Sequence, residues 1–234
     1  TLNNAAERLN KNLIPVITNL RQTRFNQTSW AEHSHGAAVA SIAYVLEKRL
    51  NEVFLASSYP YGHLITPWGS HPLVDNLFSG SAIKICLHGS PFKRVHKTEF
   101  IARSNIALSG LHVCWQDASH KNCGNCNKCY RTMITLLITG SLQDCLTFEK
   151  KSLSIDDIAR LYSSGEGSIS FMEEIAKFAN DKNKPEIAEA VLKSIRMSRR
   201  ISRMLSLLNP LFGQWPFRRA ACFARNQIYK RVIK

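Results

Sequence analysis

The chain predicts an α/β fold, the carboxyl-terminal part of a parallel-sheet domain with a four-cysteine zinc knuckle and a helical C-terminal region. Three observations carry this. Short β-branched runs alternate with helical pattern in the first half. Four cysteines cluster at Cys114, Cys123, Cys126 and Cys129. Beyond about residue 130 the pattern becomes almost wholly helical.

Taken in order, residues 3–12 read as the end of an amphipathic helix, and Leu13–Thr18 (LIPVIT) as a strand. A polar loop over 19–34 leads to a helix at 36–50 (GAAVASIAYVLEKRL), with small residues on its buried side. Val53–Ser57 (VFLAS) is a second strand. Strand, helix, strand with short connections is the pattern of a parallel sheet.

Residues 57–70 (SSYPYGHLITPWGS) then break all periodicity with Pro60, Gly62, Pro67 and Gly69 among aromatics and hydroxyls. Loops that leave the carboxyl ends of parallel strands form the ligand crevice of such sheets, so this loop is where a substrate is expected. Residues 83–87 (IKICL) form a further strand, 97–104 a short helix, and 111–114 the lead into the cysteines. Helices are expected over 131–139, 155–163, 171–180 and 185–208, with Pro210–Pro216 (PLFGQWP) ending the last one before a basic segment over 217–234. The domains expected are an α/β domain over 1–145, containing a zinc region at 112–132, and a helical region over 146–234.

Composition bounds the class. The 234 residues are 44% hydrophobic, enough for a real core. No run of about 20 apolar residues occurs, and no secretory leader opens the chain. A cytoplasmic protein is expected. The chain begins at Thr1 on helical pattern, which predicts a segment before it. Seven cysteines, odd in number and four of them clustered, favour thiolate chemistry in a reducing compartment over a disulfide framework. Cys86, Cys145 and Cys222 read as ordinary buried thiols.

The cluster has the spacing Cys114-x8-Cys123-x2-Cys126-x2-Cys129, with Gly124 after the second cysteine. A Cys-x2-Cys turn presents two sulfurs to one metal, and zinc prefers a tetrahedron of thiolates. An iron–sulfur cluster accepts similar spacing and stands as the alternative. Four sulfurs leave no open position, so the site should be structural. His112 and His120 are not needed to complete it. Arg131, just past the last cysteine, either pairs locally or meets an anionic ligand.

With the sequence CWQDASHKNCGNCNKCYRT over 114–132, and KTEFIARS over 97–104 upstream, the chain resembles 7-cyano-7-deazaguanine synthase of queuosine biosynthesis over roughly residues 1–140. That family belongs to the PP-loop ATP pyrophosphatases, with an adenine nucleotide alpha hydrolase-like fold. The resemblance implies an ATP-dependent ligase or amidotransferase-like enzyme that adenylates a carboxylate or carbonyl before a nitrogen or sulfur nucleophile attacks. It also implies ATP with magnesium, if a segment before Thr1 carries the Ser-Gly-Gly-x-Asp-Ser loop. That loop is not in this chain. Ser79-Gly80-Ser81, Ser109-Gly110 and residues 164–168 (SGEGS) lack the motif and read as turns. The segment 67–79 (PWGSHPLVDNLFS) departs from the family's substrate loop and resembles a divergent branch that keeps the zinc motif, so no substrate carries over.

For an enzyme, the candidate substrate wall is Ser57, Ser58, Trp68, Ser70, His71 and Asp75, with Lys97 and Arg131 toward anionic groups. A stacked aromatic beside hydroxyls and a carboxylate suits a small planar heterocycle. The competing reading is a proline-stiffened loop with its polar groups satisfied internally, and for Lys97 a solvated lysine at a helix start. His33 and His35 flank a helix start and read as capping or surface groups. No residue is nominated as catalytic.

The net charge of +14 is concentrated late. Eleven cations and no acid follow Glu189, which leaves +3 for residues 1–189. The tail over 193–234 interleaves cations with Trp215, Phe217 and Phe223. Three readings stay open for it: a solvated face packed on the domain, a nucleic-acid contact, or attachment to an anionic membrane surface. The last two define the rival to the enzyme, a non-catalytic zinc-stabilised module that binds a polyanion through its tail.

Overall fold

A computed structural model describes residues 2–63, 67–114, 116 and 121–212; of these, the side chains of residues 25, 26 and 207–212 are not described. The elements are α1 (Leu2–Arg8), α2 (His35–Val45), β1 (Glu52–Ala56), β2 (Lys84–His88), α3 (Arg94–Ala102), α4 (Asn105–Gly110), α5 (Asn127–Ile138), α6 (Ile155–Ala159), α7 (Glu166–Asp181) and α8 (Pro185–Phe212). The architecture is α/β, mostly helical, with one small sheet. No helix among the described residues is long and apolar enough to cross a membrane.

The chain divides into two compact units, one of Leu13–Lys97 and the other of Thr1–Asn12 with Thr98–Lys234. Both sides of residue 145 therefore belong to the same unit.

In the Leu13–Lys97 unit, β1 and β2 pair in parallel, with Val53 opposite Ile85 and Leu55 opposite Leu87. Among the described residues, the crossover between them contains no helix longer than a single 3-10 turn, over Tyr61–His63 and again over Asp75–Phe78. Strands of this kind bury apolar side chains by alternation. Here Ala40 and Ala43 of α2 cover Leu55, Ile83 and Ile85, with Leu50, Val53, Phe78 and Leu87 at the margin. The small residues of α2 allow this close approach. Its amino end is held through Gly36, whose N–H donates to the Gly69 carbonyl at 2.9 Å. A Cβ on Gly36 would stand 2.1 Å from that oxygen, so only glycine fits. A π-helical turn over Trp30–Ser34 precedes α2, with the Ser29 hydroxyl accepting from Glu32 N–H.

The segment Leu13–Thr18 is not a strand. It has the composition of one, but no neighbouring strand is present among the described residues to accept its ladder, and Pro15 has no N–H to contribute. Leu13, Ile14 and Val16 are more than two-fifths exposed and Ile17 wholly so.

The other unit is helical. α5 packs on α7, α7 on α8, α6 on α8, and α1 on α4. Met133, Ile134 and Leu136 of α5, Ile169, Met172 and Ile175 of α7, and Val191 and Ile195 of α8 recur at helical spacing and are buried. A capping box starts α6, in which the Ser154 hydroxyl accepts from Asp157 N–H and the Asp157 carboxylate accepts from Ser154 N–H. α8 continues two residues past Pro210, where the sequence predicts interruption; near a helix end the proline forfeits only one backbone bond. The basic segment over 217–234 lies outside the described residues.

Candidate metal centre and strand-end loops

The four cysteines converge. Cys114 lies in the irregular stretch after α4, Cys123 and Cys126 flank a turn, Cys126 is the N-cap of α5, and Cys129 lies in its first turn. Gly124 makes the turn with φ of +68°, a left-handed conformation that favours glycine. All four sulfurs lie within 4.8 Å of one another. Individual separations are 4.0 Å for Cys114–Cys126, 3.8 Å for Cys123–Cys129 and 3.4 Å for Cys126–Cys129. A tetrahedral ion with metal–sulfur bonds of about 2.3 Å needs sulfurs roughly 3.8 Å apart, so the thiols already define such a cavity.

Cys114, Cys126 and Cys129 are buried and Cys123 is half-buried. Burial pushes the Cys129 thiol far up, with a further contribution from Cys126 beside it, and burial also raises Cys123. Backbone N–H groups of Gln116 and Asn125 point at the sulfurs of Cys114 and Cys123, at 3.4 and 3.5 Å. A cation would relieve the clash of four soft donors in a dry site, and these donors match a group that binds as thiolates. His112 is exposed and is not among the clustered groups, and His120 lies outside the described residues.

One residue that carries no pattern in the sequence holds Cys114, the cysteine farthest from the other three along the chain, in place. Asn122 is 4% exposed. Its Oδ1 accepts from the N–H groups of Val113 and Cys114 at 2.8 and 3.0 Å, while its Nδ2 donates to the Leu111 carbonyl at 2.8 Å and the Thr147 hydroxyl at 2.9 Å. The only signal was a polar residue immediately before Cys123. Cys145 is a core thiol whose sulfur donates to the Leu108 carbonyl, Cys86 is half-buried, and Cys222 lies outside the described residues.

The substrate candidates fall into four places. At the carboxyl end of β1, Lys97 Nζ donates to the Ser57 hydroxyl at 2.6 Å and to the Ser57 carbonyl at 3.0 Å, and Arg94 donates to the Ser58 carbonyl at 3.3 Å. Gly89, at the carboxyl end of β2, has φ of +89° and leaves room for the lysine: a Cβ there would meet Lys97 Cε at 3.2 Å. A second knot closes on itself. Asp75 is fully buried, accepting from the Ser70 hydroxyl at 2.5 Å and from His71 N–H at 3.0 Å. Its carboxylate is thus spent on shaping the loop. Arg131 belongs to the helical unit, where its guanidinium lies 4.4 Å from the Phe171 ring centre and its Nε donates to the Asn127 carbonyl at 3.2 Å.

Trp68 packs edge-on against Tyr59 at 5.1 Å and His35 at 5.3 Å, and Tyr59 in turn faces His63 at 6.1 Å. His35 Nδ1–H also donates to the Trp30 carbonyl, at 3.0 Å. Four polar atoms in and beside this nest are buried with no hydrogen-bond partner among the described residues: Trp68 Nε1, His63 Nδ1, Ser34 Oγ and Ser90 Oγ. Buried polar atoms are normally satisfied. Such a group of orphans on strand-end loops suits a ligand that supplies the missing partners. Tyr59, His63 and Ser90 were not legible as site residues, because nothing in their spacing distinguishes them from ordinary loop residues.

The chain matches no protein-family model, no curated protein and no solved structure.

Proposed function

We propose that the protein is an ATP-dependent enzyme of the PP-loop type, similar to 7-cyano-7-deazaguanine synthase. It activates a carboxylate or carbonyl by adenylation, with a structural zinc ion on Cys114, Cys123, Cys126 and Cys129. The observation that carries the reading is the convergence of these sulfurs, in the family's spacing, into a cavity of tetrahedral dimensions. Zinc is preferred over an iron–sulfur cluster because the sulfurs surround space for one ion, with edges close to those of a single tetrahedron.

The substrate is assigned to the loops at the carboxyl ends of β1 and β2. The orphaned donors and acceptors at Trp68, His63, Ser34 and Ser90 beside aromatic rings support a small planar molecule bearing complementary polar edges. Lys97 supports an anionic group next to Ser57. ATP supplies the leaving group that makes the activated carbon electrophilic; the residues of this chain bind and orient the acceptor and exclude water from it.

Two measurements test this. Metal analysis of purified protein should give one zinc per chain, abolished by Cys126→Ser; one or more irons with visible charge-transfer absorption, or no metal, would overturn the zinc assignment. Incubation with ATP, magnesium and a panel of heterocyclic carboxylic acids should release pyrophosphate. The enzyme reading is abandoned if none is released and no nucleotide raises the melting temperature. The rival, a non-catalytic zinc-stabilised module, would then stand.

A further inference from the structure

The helix α8 has two kinds of surface. Ile187, Val191, Ser194, Ile195 and Ser198 form its buried stripe, and Ser198 is tied into the unit by accepting from Ser163 N–H at 2.9 Å. On the opposite side, Lys193, Arg196, Arg199, Arg200 and Arg203 are all exposed. Arg199 is neutralised, at 2.8 Å from Glu173 and 3.8 Å from Glu166. Lys193, Arg196, Arg200 and Arg203 have no carboxylate partner among the described residues. At about 100° and 1.5 Å per residue these four occupy an arc of roughly 80° over some 15 Å of helix. Four uncompensated cations on so narrow a strip form a surface for an anion larger than a single phosphate.

The borders of the strip decide which polyanion. On one side stand Met204, 60% exposed, and half-buried Met197; on the other stands Leu192, 39% exposed. Exposed aliphatic side chains give nothing to a phosphodiester backbone, which rewards cations and hydrogen-bond donors. They gain by entering the boundary between headgroups and acyl chains, where cations meet lipid phosphates on the same face. The sequence beyond keeps that composition. From Met204 to the last residue come six more cations and no acid, mixed with Leu207, Leu208, Trp215, Phe217 and Tyr229. No described helix is suited to crossing the bilayer, which leaves attachment in its plane.

We infer that the cationic face of α8, with its flanking Met204 and Leu192, is a docking surface for an anionic lipid bilayer. This is independent of the proposed enzyme activity. Each cation near an anionic bilayer contributes about fivefold to partitioning, so three contribute roughly a hundredfold.

The test is flotation of the full chain with vesicles of phosphatidylcholine and phosphatidylglycerol mixed at roughly 3:1, a composition that carries a negative surface potential. Binding is expected there, weakening with salt, and not on phosphatidylcholine alone. Arg196→Gln, Arg200→Gln and Arg203→Gln together should lower partitioning about a hundredfold. Lys48→Gln with Arg49→Gln, equally exposed but outside α8, should leave it unchanged. Leu192→Ser with Met204→Ser should weaken vesicle binding and spare any binding to duplex DNA or RNA. The inference is overturned if the parent does not float with the mixed vesicles, if the triple variant floats as well as the parent, or if a duplex competes the protein off the vesicles while the Leu192/Met204 variant binds them as the parent does. The last result would identify the face as a nucleic-acid contact.

Discussion

Replacing Asn122 by alanine should damage the candidate metal centre without touching any of its four cysteines. Four side-chain hydrogen bonds disappear, to Val113 N–H, Cys114 N–H, the Leu111 carbonyl and the Thr147 hydroxyl. The Leu111 carbonyl keeps a donor, since the Thr147 hydroxyl reaches it at 2.6 Å. The two backbone N–H groups do not. An orphaned buried donor costs about 1–3 kcal/mol. Val113 is only half-buried, which places its share near the low end, so a total of roughly 3 kcal/mol is expected. Cys114 then loses the group that holds its backbone, and zinc affinity should fall about 10- to 100-fold, the usual effect of removing a supporting contact from a metal ligand. Urea unfolding of the metal-loaded protein measures the first quantity, and competition for zinc against a chromophoric chelator the second. Thr147→Val serves as the companion: it removes one donor to Leu111 and one acceptor of Asn122 Nδ2, each of which keeps the bond between them, and should cost only about 1–2 kcal/mol. The reasoning fails if Asn122→Ala retains zinc within twofold of the parent and loses less stability than Thr147→Val.

Gly36→Ala should destabilise the α2, β1 and β2 unit by about 3 kcal/mol or more, because the new methyl would overlap the Gly69 carbonyl; a melt of the variant that coincides with the parent would refute the packing described. Gly89→Ala should cost about 1–2 kcal/mol from its left-handed backbone alone and should also disturb Lys97; the check is whether Lys97→Met erases the second part of that cost, as a double-mutant cycle would show. Ser154→Ala should cost about 1 kcal/mol at neutral pH through loss of the α6 cap. The pH dependence has a definite sign. The Ser154 N–H above all holds the Asp157 carboxyl below its ordinary value of 3.8; burial opposes it, and the Ser154 hydroxyl and Lys150 add to the lowering. Its stabilisation is present above the unfolded-state value and disappears as pH falls through the lower folded-state value. Asp157→Asn should therefore be destabilising at pH 7 and nearly neutral at the acid end of the folded range, as denaturant midpoints across pH would reveal.

What was legible in the sequence followed local rules. Val53–Ser57 and residues 83–87 were readable as strands within a residue of β1 and β2, because short β-branched runs bounded by polar residues have few other uses. α5, α7 and α8 were readable from apolar spacing, though α5 starts at Asn127 rather than Arg131, since Cys126 caps it. The thiol cluster was the clearest feature, as four chemically identical ligands announce themselves by spacing alone. Leu13–Thr18 was not legible in this way: strand propensity is realised only when a neighbour offers its edge, and propensity does not encode the neighbour. Asp75 shows another. Its carboxylate beside Ser70 and His71 has the composition of a site, yet the chain folds those groups onto one another. Asn122 was invisible for the opposite reason, since a single asparagine carries no pattern, and its importance lies in which backbone groups reach it.

The geometry of the cysteines bears on whether a bound ion would act on substrate. A catalytic zinc keeps one position for water, which requires three protein ligands and a path from solvent. Here four sulfurs are within mutual reach, and three of the four residues are buried. Cys126 caps α5 and Cys129 lies in its first turn, and Met133, Ile134 and Leu136 of that helix are wholly enclosed. Cys114 is tied through Asn122 to Thr147, 25 residues further along the chain from Asn122. An ion at the centre would therefore join the entry of a core helix to two segments that have no regular secondary structure of their own. Burial has raised the Cys123 and Cys129 thiols, so an ion binding there would displace protons, and the free energy of ligation would go into ordering that junction. An ion held there would support the fold around α5 rather than act on a substrate.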